Sequence, residues 1–488
     1  MKKLISKYRV ELALFLLLLF SYTYFFPRWA DWSQNSRLNL TLAIVDKGTL
    51  RIDDHYQSSG DYALFEGHYY TDKAPGPSFL AVPIYAIARP FLQLAPIQNI
   101  LEKAANRPAF QNTLTESGTG LLKQKIYQAT VLYIVTAIVV AVPAALLGVL
   151  LYTMLQIFDI SVFWRVVIVL IYGLATPAFP YSGAFYSHQL AAFLLFAALY
   201  IGFLLKYEKI SPYWVIPAGL ILGYAIISEY PVFLIAGGIY FYIAYILYPS
   251  RQWIGILTLS GIPPGVVLMV YDWLIFRTPL PVAYKYSELF VEQHSTGFLS
   301  ITYPHPVAIW GLTFGSFRGL FYISPILILA AAGFWVWWHM GKHRAEWTVC
   351  LWAIMSLFTF YSSSIMWQGG FSIASRYIVP FIPFLTMGLG AFVARWGEQI
   401  WAKVLIVIFS IWSVGAVWAL TIAGQSFPDW THNPLFNYSL PLLIEGNIAR
   451  NLGMLLKLSG WVSIIPLIIG LGIGLGVLFK ISRQQQVK

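Results

Sequence analysis

Residues 126–152 read IYQATVLYIVTAIVVAVPAALLGVLLY, an unbroken stretch without a charged side chain. At about 1.5 Å of rise per residue, a helix of this length spans the roughly 30 Å of a bilayer's hydrocarbon core. Comparable runs recur on both sides of it, at 10–26, 165–182, 189–205, 213–228, 231–248, 253–275, 320–338, 347–363, 378–394, 402–422 and 460–479. Of the 488 residues 58% are hydrophobic and 10% charged, where a soluble domain carries roughly 25% charged residues. A soluble globular enzyme is excluded. The expected fold is an all-α polytopic membrane protein with about twelve transmembrane helices.

Charge then orients the chain. The formal net charge is +11, from 31 Lys and Arg against 20 Asp and Glu. With the N-terminus inside, fifteen cations fall on the cytosolic side, among them Lys2, Lys3, Lys7, Arg9, Lys342, Arg344 and Lys480, facing only five acids. The outer side is close to neutral, as the positive-inside rule requires. The basic balance therefore reflects topology and gives no reason to expect nucleic acid as a partner. Lys2, Lys3, Lys7 and Arg9 ahead of Leu12–Phe26 read as a retained signal anchor, because no small-residue cleavage site follows. The one cysteine, Cys350, lies in an apolar run, so no intrachain disulfide is possible.

Ser78–Ala95 is apolar enough to cross but is interrupted by Pro83, Arg89 and Pro90. If it crossed, every later basic loop would face outward, so it is expected to lie in the headgroup region. The organisation that follows is a cytosolic tail (1–9), a first span (10–26), a long first outer loop with interfacial helices (27–124), a bundle of about eleven helices (125–479) and a cytosolic tail (480–488). Further outer loops fall near 276–319 and 423–459. Both termini are expected in the cytosol.

Polar chemistry collects on the outer side. The first loop holds Asp53, Asp54, Asp61, Glu66 and Asp72 with His55, His68, Tyr70 and Lys73. These are either solvated loop charges or a carboxylate site for a substrate held at the bilayer surface, where one acid serves as general base. At the outer helix ends stand His188, Glu229, Asp272, Arg318 and Arg376. Ionisable groups at such positions are costly and point to function by default. Arg318 and Arg376, beside glycines and serines, suit a phosphate or diphosphate, or else anchor lipid headgroups. Walker, His-Glu-x-x-His, Cys-His and Gly-x-Ser-x-Gly patterns are absent. Pro263-Pro264 is the best candidate for the broken helix that a transporter's substrate site requires.

The order of these features resembles the polytopic glycosyltransferases of the GT-C fold, in the branch of protein O-mannosyltransferases and lipid A aminoarabinose transferases. Asp72-Lys73-Ala74-Pro75-Gly76 resembles that branch's acid-lysine-proline motif, and Tyr181–His188 and Arg376-Tyr377 resemble further segments. The resemblance implies a GT-C-like fold and a polyprenyl-phosphate sugar donor. It gives Lys73 contact to the donor phosphate, and Arg318 and Arg376, by their own chemistry, are expected to join it there. Where the family carries an acidic pair after the first span, this chain has Gln34-Asn35, aligned on Arg37. Amides cannot act as bases, so the catalytic acid is expected at Asp53 or Asp54, with Asp31 and Asp72 behind them. His188, Glu229, Tyr70 and Asp61 are expected to line the site.

The resulting expectation is a membrane glycosyltransferase that moves one sugar to a lipid, glycan or protein hydroxyl at the outer face of a bacterial inner membrane. No cofactor is required, although a divalent cation is compatible with the chemistry. A transporter or flippase of a lipid-linked or sugar-like solute is the alternative.

Overall fold

The computed structural model describes residues 8–28, 31–106, 123–289, 291–297, 300–370, 372–424 and 431–486. Lys2, Lys3, Lys7, Lys488 and the loop stretch 107–122 lie outside the described residues.

Among the described residues, seven helices are long and apolar enough to cross a membrane: Ile126–Phe158, Ser187–Lys206, Tyr230–Leu247, Arg251–Phe276, Arg376–Trp396, Ile400–Ala423 and Gly460–Gln484. The other expected spans are also helical, but they are shorter or more polar. The first is α1 (Arg9–Tyr24, 16 residues). The run expected at 165–182 divides into Val162–Leu174 and Ala178–Ser182 on either side of Pro177. The run at 320–338 divides likewise at Ser324-Pro325. Proline explains both breaks, since its ring and missing N–H interrupt the helical ladder and restrict the residue before it.

Residues 31–105 fold into a hairpin and a pair of helices packed side by side in the same direction, Thr41 meeting Ser78 and, further along both, Asp46 meeting Arg89. Helix α2 (Trp32–Lys47) begins at Asp31, whose carboxylate accepts from the Gln34 N–H at 3.0 Å, and stops at Gly48 with φ +63°. An aspartate cap and a left-handed glycine are ordinary helix signals. A two-stranded sheet follows, β1 (Tyr62–Phe65) and β2 (His68–Thr71), paired Phe65↔His68 through Tyr62↔Thr71. This is a local departure from the all-α expectation. Its turn residues Glu66 and Gly67 both have positive φ, matching the tight turn that joins twisted strands. Tyr56 stacks on Tyr69 at 3.7 Å, and Tyr62 meets the same ring edge-on.

Helix α3 (Gly76–Leu92) runs through Pro83 and Pro90, then turns by 93° into α4 (Ala95–Ala105). Leu94, held extended ahead of Ala95-Pro96, makes the corner. If this pair counts as one broken span, the number of candidate spans becomes eight. Arg89 reaches Asp46 at 2.8 Å and Tyr85 donates to the same carboxylate, which clips α3 to α2.

The bundle that follows contains α5 (Ile126–Phe158), α6 (Val162–Leu174), α7 (Ser187–Lys206), α8 (Val215–Ser228), α9 (Phe233–Leu247), α10 (Arg251–Phe276), α11 (Ile328–His339), α12 (Arg344–Ser362) and α13 (Ile382–Trp396). α11 and α13 cross where Gly333 faces Gly388, and a Cβ on either would overlap the other backbone. Helices in lipid associate through such small residues. α10 continues through both Pro263 and Pro264, so the break expected there for a transporter is not formed. At the end of α8, Gly76 sits against Ser228 with no room for a side chain, and Tyr224 donates to the Gly76 carbonyl at 2.7 Å. That contact draws the Asp72–Gly76 segment onto the turn carrying Glu229.

Candidate active site

Lys73 is the centre of the cluster. Its ammonium lies 3.0 Å from Asp61 and 3.1 Å from Asp72, and all three side chains are buried. Burial pushes the Asp72 carboxyl up to about 6, against the pull of the Lys73 charge. The two carboxylates hold the Lys73 ammonium in its charged form, although burial alone would disfavour it. Tyr284 faces Lys73 with its ring centre 5.7 Å away. It reaches this position because Ser287, in the segment after α10, bridges to Ala63 of β1.

Arg376 approaches from the start of the helical turn ahead of α13 and acts on the same charges. It repels Lys73 and attracts Asp61 and Asp31. Its guanidinium lies 5.1 Å from the Tyr186 ring centre and 5.4 Å from that of Tyr377. Glu229 closes the group. It accepts from Ser187 at 2.5 Å and Tyr361 at 3.3 Å and lies 3.2 Å from His188 Nδ1. Burial would raise the Glu229 carboxyl, but His188, Ser187 and Arg37 outweigh it and hold the group at about 2. Arg37 is buried in α2. It donates to the Ser33 carbonyl at 2.8 Å and to Ser187 at 3.1 Å.

The fold thus brings together Asp61, Asp72, Lys73, His188, Glu229 and Arg376. The other expected residues stand elsewhere. Asp53 is half-exposed and accepts from the Tyr69 N–H at 2.7 Å, with His68 at 2.9 Å. It holds the hairpin. Asp54 pairs with Lys47 at the surface. Tyr70 is buried in a small apolar cluster beside Phe276. Arg318 is fully buried and donates to the carbonyls of Ser372 and Gly370, the latter at 2.6 Å, so it fixes the loop ahead of Arg376. Gln34 accepts from the Phe185 N–H at 2.7 Å, and Asn35 donates to the Ser58 carbonyl at 2.9 Å. The amides hold the loop where the resembling family has acids.

Sequence reasoning gave no role to Tyr284 and Tyr361, quoted Tyr186, Ser187 and Tyr377 only within resembling segments, and used Arg37 only as an alignment point. Tyrosines and serines are too common in this chain to stand out; only convergence marks them. Among the described residues, no three His, Cys, Asp or Glu side chains form a metal-ligand group.

No family model matches the chain, and no curated protein matches it. Solved structures do. The chain is similar to the crystal structure of ArnT from Cupriavidus metallidurans in the apo state, at 15% identity and a TM-score of 0.49, over 97% of this chain and 76% of that one. It is similar also to the same protein bound to undecaprenyl phosphate, at 14% identity and a TM-score of 0.45, over 98% and 77%.

Proposed function

We propose that this chain is an integral membrane glycosyltransferase that moves one sugar from a polyprenyl-phosphate donor to an acceptor hydroxyl at the outer membrane face. The observation that carries the reading is the convergence of two cations, Lys73 and Arg376, with the buried acid Asp72. The resemblance of Asp72–Gly76 to the acid-lysine-proline motif supports it. The acceptor oxygen bonds to the sugar's anomeric carbon as the bond from that carbon to the phosphate oxygen breaks. Asp72 takes the acceptor proton, and a carboxyl near 6 is suited to that task at neutral pH. Lys73 and Arg376 meet the charge growing on the departing polyprenyl phosphate. Asp61 holds Lys73, while His188 and Glu229 flank the sugar. The step needs no cofactor, and a divalent ion is an optional aid. The acceptor is a lipid, glycan or protein hydroxyl, and the membrane is a bacterial inner membrane with both termini in the cytosol.

The test is transfer of radiolabel from a panel of polyprenyl-phosphate sugars to lipid and protein acceptors, with purified wild type and Lys73→Ala. Label should enter a product with wild type and fall by about three orders of magnitude in the variant, the scale of losing a preorganised charge. Donor movement across reconstituted vesicles, with no product from any donor, would overturn the reading in favour of a transporter.

A further inference from the structure

The surroundings of Arg376 carry an inference that rests on the phosphate-binding reading above and deepens it. A guanidinium has two flat faces and five N–H donors around its edge. The rings of Tyr186 and Tyr377 lie against Arg376, while its buried Nε has no hydrogen-bond partner among the described residues. An arginine held by aromatic rings keeps its edge for an anion. A carboxylate bound directly to that edge would compete with phosphate; a ring does not.

Both rings are themselves fixed. The Tyr186 hydroxyl donates to Asp31 Oδ2 at 2.5 Å, and the other Asp31 oxygen accepts from the Gln34 N–H at 3.0 Å, capping α2. Tyr377 stacks on Tyr361 at 4.5 Å with the planes 3° apart, and the Tyr361 hydroxyl donates to Glu229. His188 lies between the two systems, stacked on Tyr186 at 6.0 Å and edge-on to Tyr377 at 5.9 Å. Two acids therefore act on Arg376 through rings.

We infer that Asp31–Tyr186 and Glu229–Tyr361–Tyr377 form two braces that orient Arg376 toward the donor phosphate, which makes Asp31 and Tyr186 positioning residues for that contact. Asp31 is then not the base. The two roles separate at the lipid, because loss of a base lowers kcat and leaves polyprenyl-phosphate binding intact, whereas loss of orientation at the phosphate weakens that binding.

The experiment measures binding of polyprenyl phosphate to the full-length protein in detergent, and in parallel kcat and KM for transfer. Arg376→Ala sets the scale: if it binds the lipid as wild type does, the phosphate-binding reading itself fails, whatever the braces do. If it binds weakly, Tyr186→Leu should weaken binding about tenfold, the range of a partly desolvated cation–ring contact. Tyr186→Phe, which keeps the ring and loses only the Asp31 bond, should recover most of that loss. Asp31→Asn keeps a competent helix cap and should weaken lipid binding about threefold. Wild-type lipid binding by Tyr186→Leu would overturn the inference. So would a hundredfold loss of kcat in Asp31→Asn with lipid binding intact, which would make Asp31 the base. Tyr186→Phe and Asp31→Asn are near-isosteric, so at least two variants remain informative if Tyr186→Leu fails to fold.

Discussion

Helix α7 carries a charged cluster at each end, and the two are built in opposite ways. At its C-terminal end Lys206 meets both oxygens of Glu346, at 2.8 and 3.0 Å, and Tyr242 donates to the same carboxylate at 2.7 Å. Cation and acid match one to one, and the contact ties α7 to α9 and α12. At its N-terminal end, roughly 27 Å away by helical rise, Ser187 and His188 join Glu229 in a group where Lys73 has two acids and Arg376 is held by rings. The first cluster is closed and can only hold helices together. The second joins residues from four distant segments, and the proposed transfer reaction assigns its anion to Arg376 and its proton to Asp72.

The comparison is sharpened first at Asp72. Asp72→Asn should lower kcat by about three orders of magnitude while polyprenyl-phosphate binding stays close to wild type, the range for loss of a general base. The wild-type rate should climb as pH rises through about 6, because the burial-raised carboxyl must be ionised to accept a proton, and then level off. A flat profile, or the same profile in Asp72→Asn, would move the base elsewhere.

Glu346→Gln should do the reverse. Leaving Lys206 without its partner should cost on the order of 3 kcal/mol of stability, read as an earlier thermal unfolding transition in detergent, with transfer at 25 °C within about twofold. A large loss of activity without loss of stability would show that the Lys206–Glu346 cluster is not merely structural. The smallest effect belongs to Asp54→Asn. Its partner Lys47 is exposed, solvent screens such surface pairs, and both transfer and unfolding should stay near wild type.

These expectations invert part of what the sequence suggested. Asp53 and Asp54 stood out because they form an acidic pair early in a polar loop. In the fold, the Asp53 carboxylate is engaged by the Tyr69 N–H and His68 of the hairpin. Asp72 looked secondary, but the contact between Gly76 and Ser228 buries it beside Lys73. Arg318 and Arg376 read alike in sequence, each just before an apolar run. One is taken up by loop carbonyls and the other faces the charged cluster, a difference set by which backbone lies within reach.

The sequence by itself determined that this is a helical membrane protein, because the length of an apolar run is a local property measured directly against bilayer thickness. It also marked His188, Glu229 and Arg376, since a charge at a helix end in lipid is conspicuous wherever the helix goes, and Lys73 through the acid-lysine-proline motif it stands in. Only the tertiary structure decided which acids are buried, how prolines divide the runs at 165–182 and 320–338, and that five common tyrosine and serine side chains frame the cations. Burial and hydrogen-bond partnership are relations between segments far apart in the chain, and no residue carries them alone.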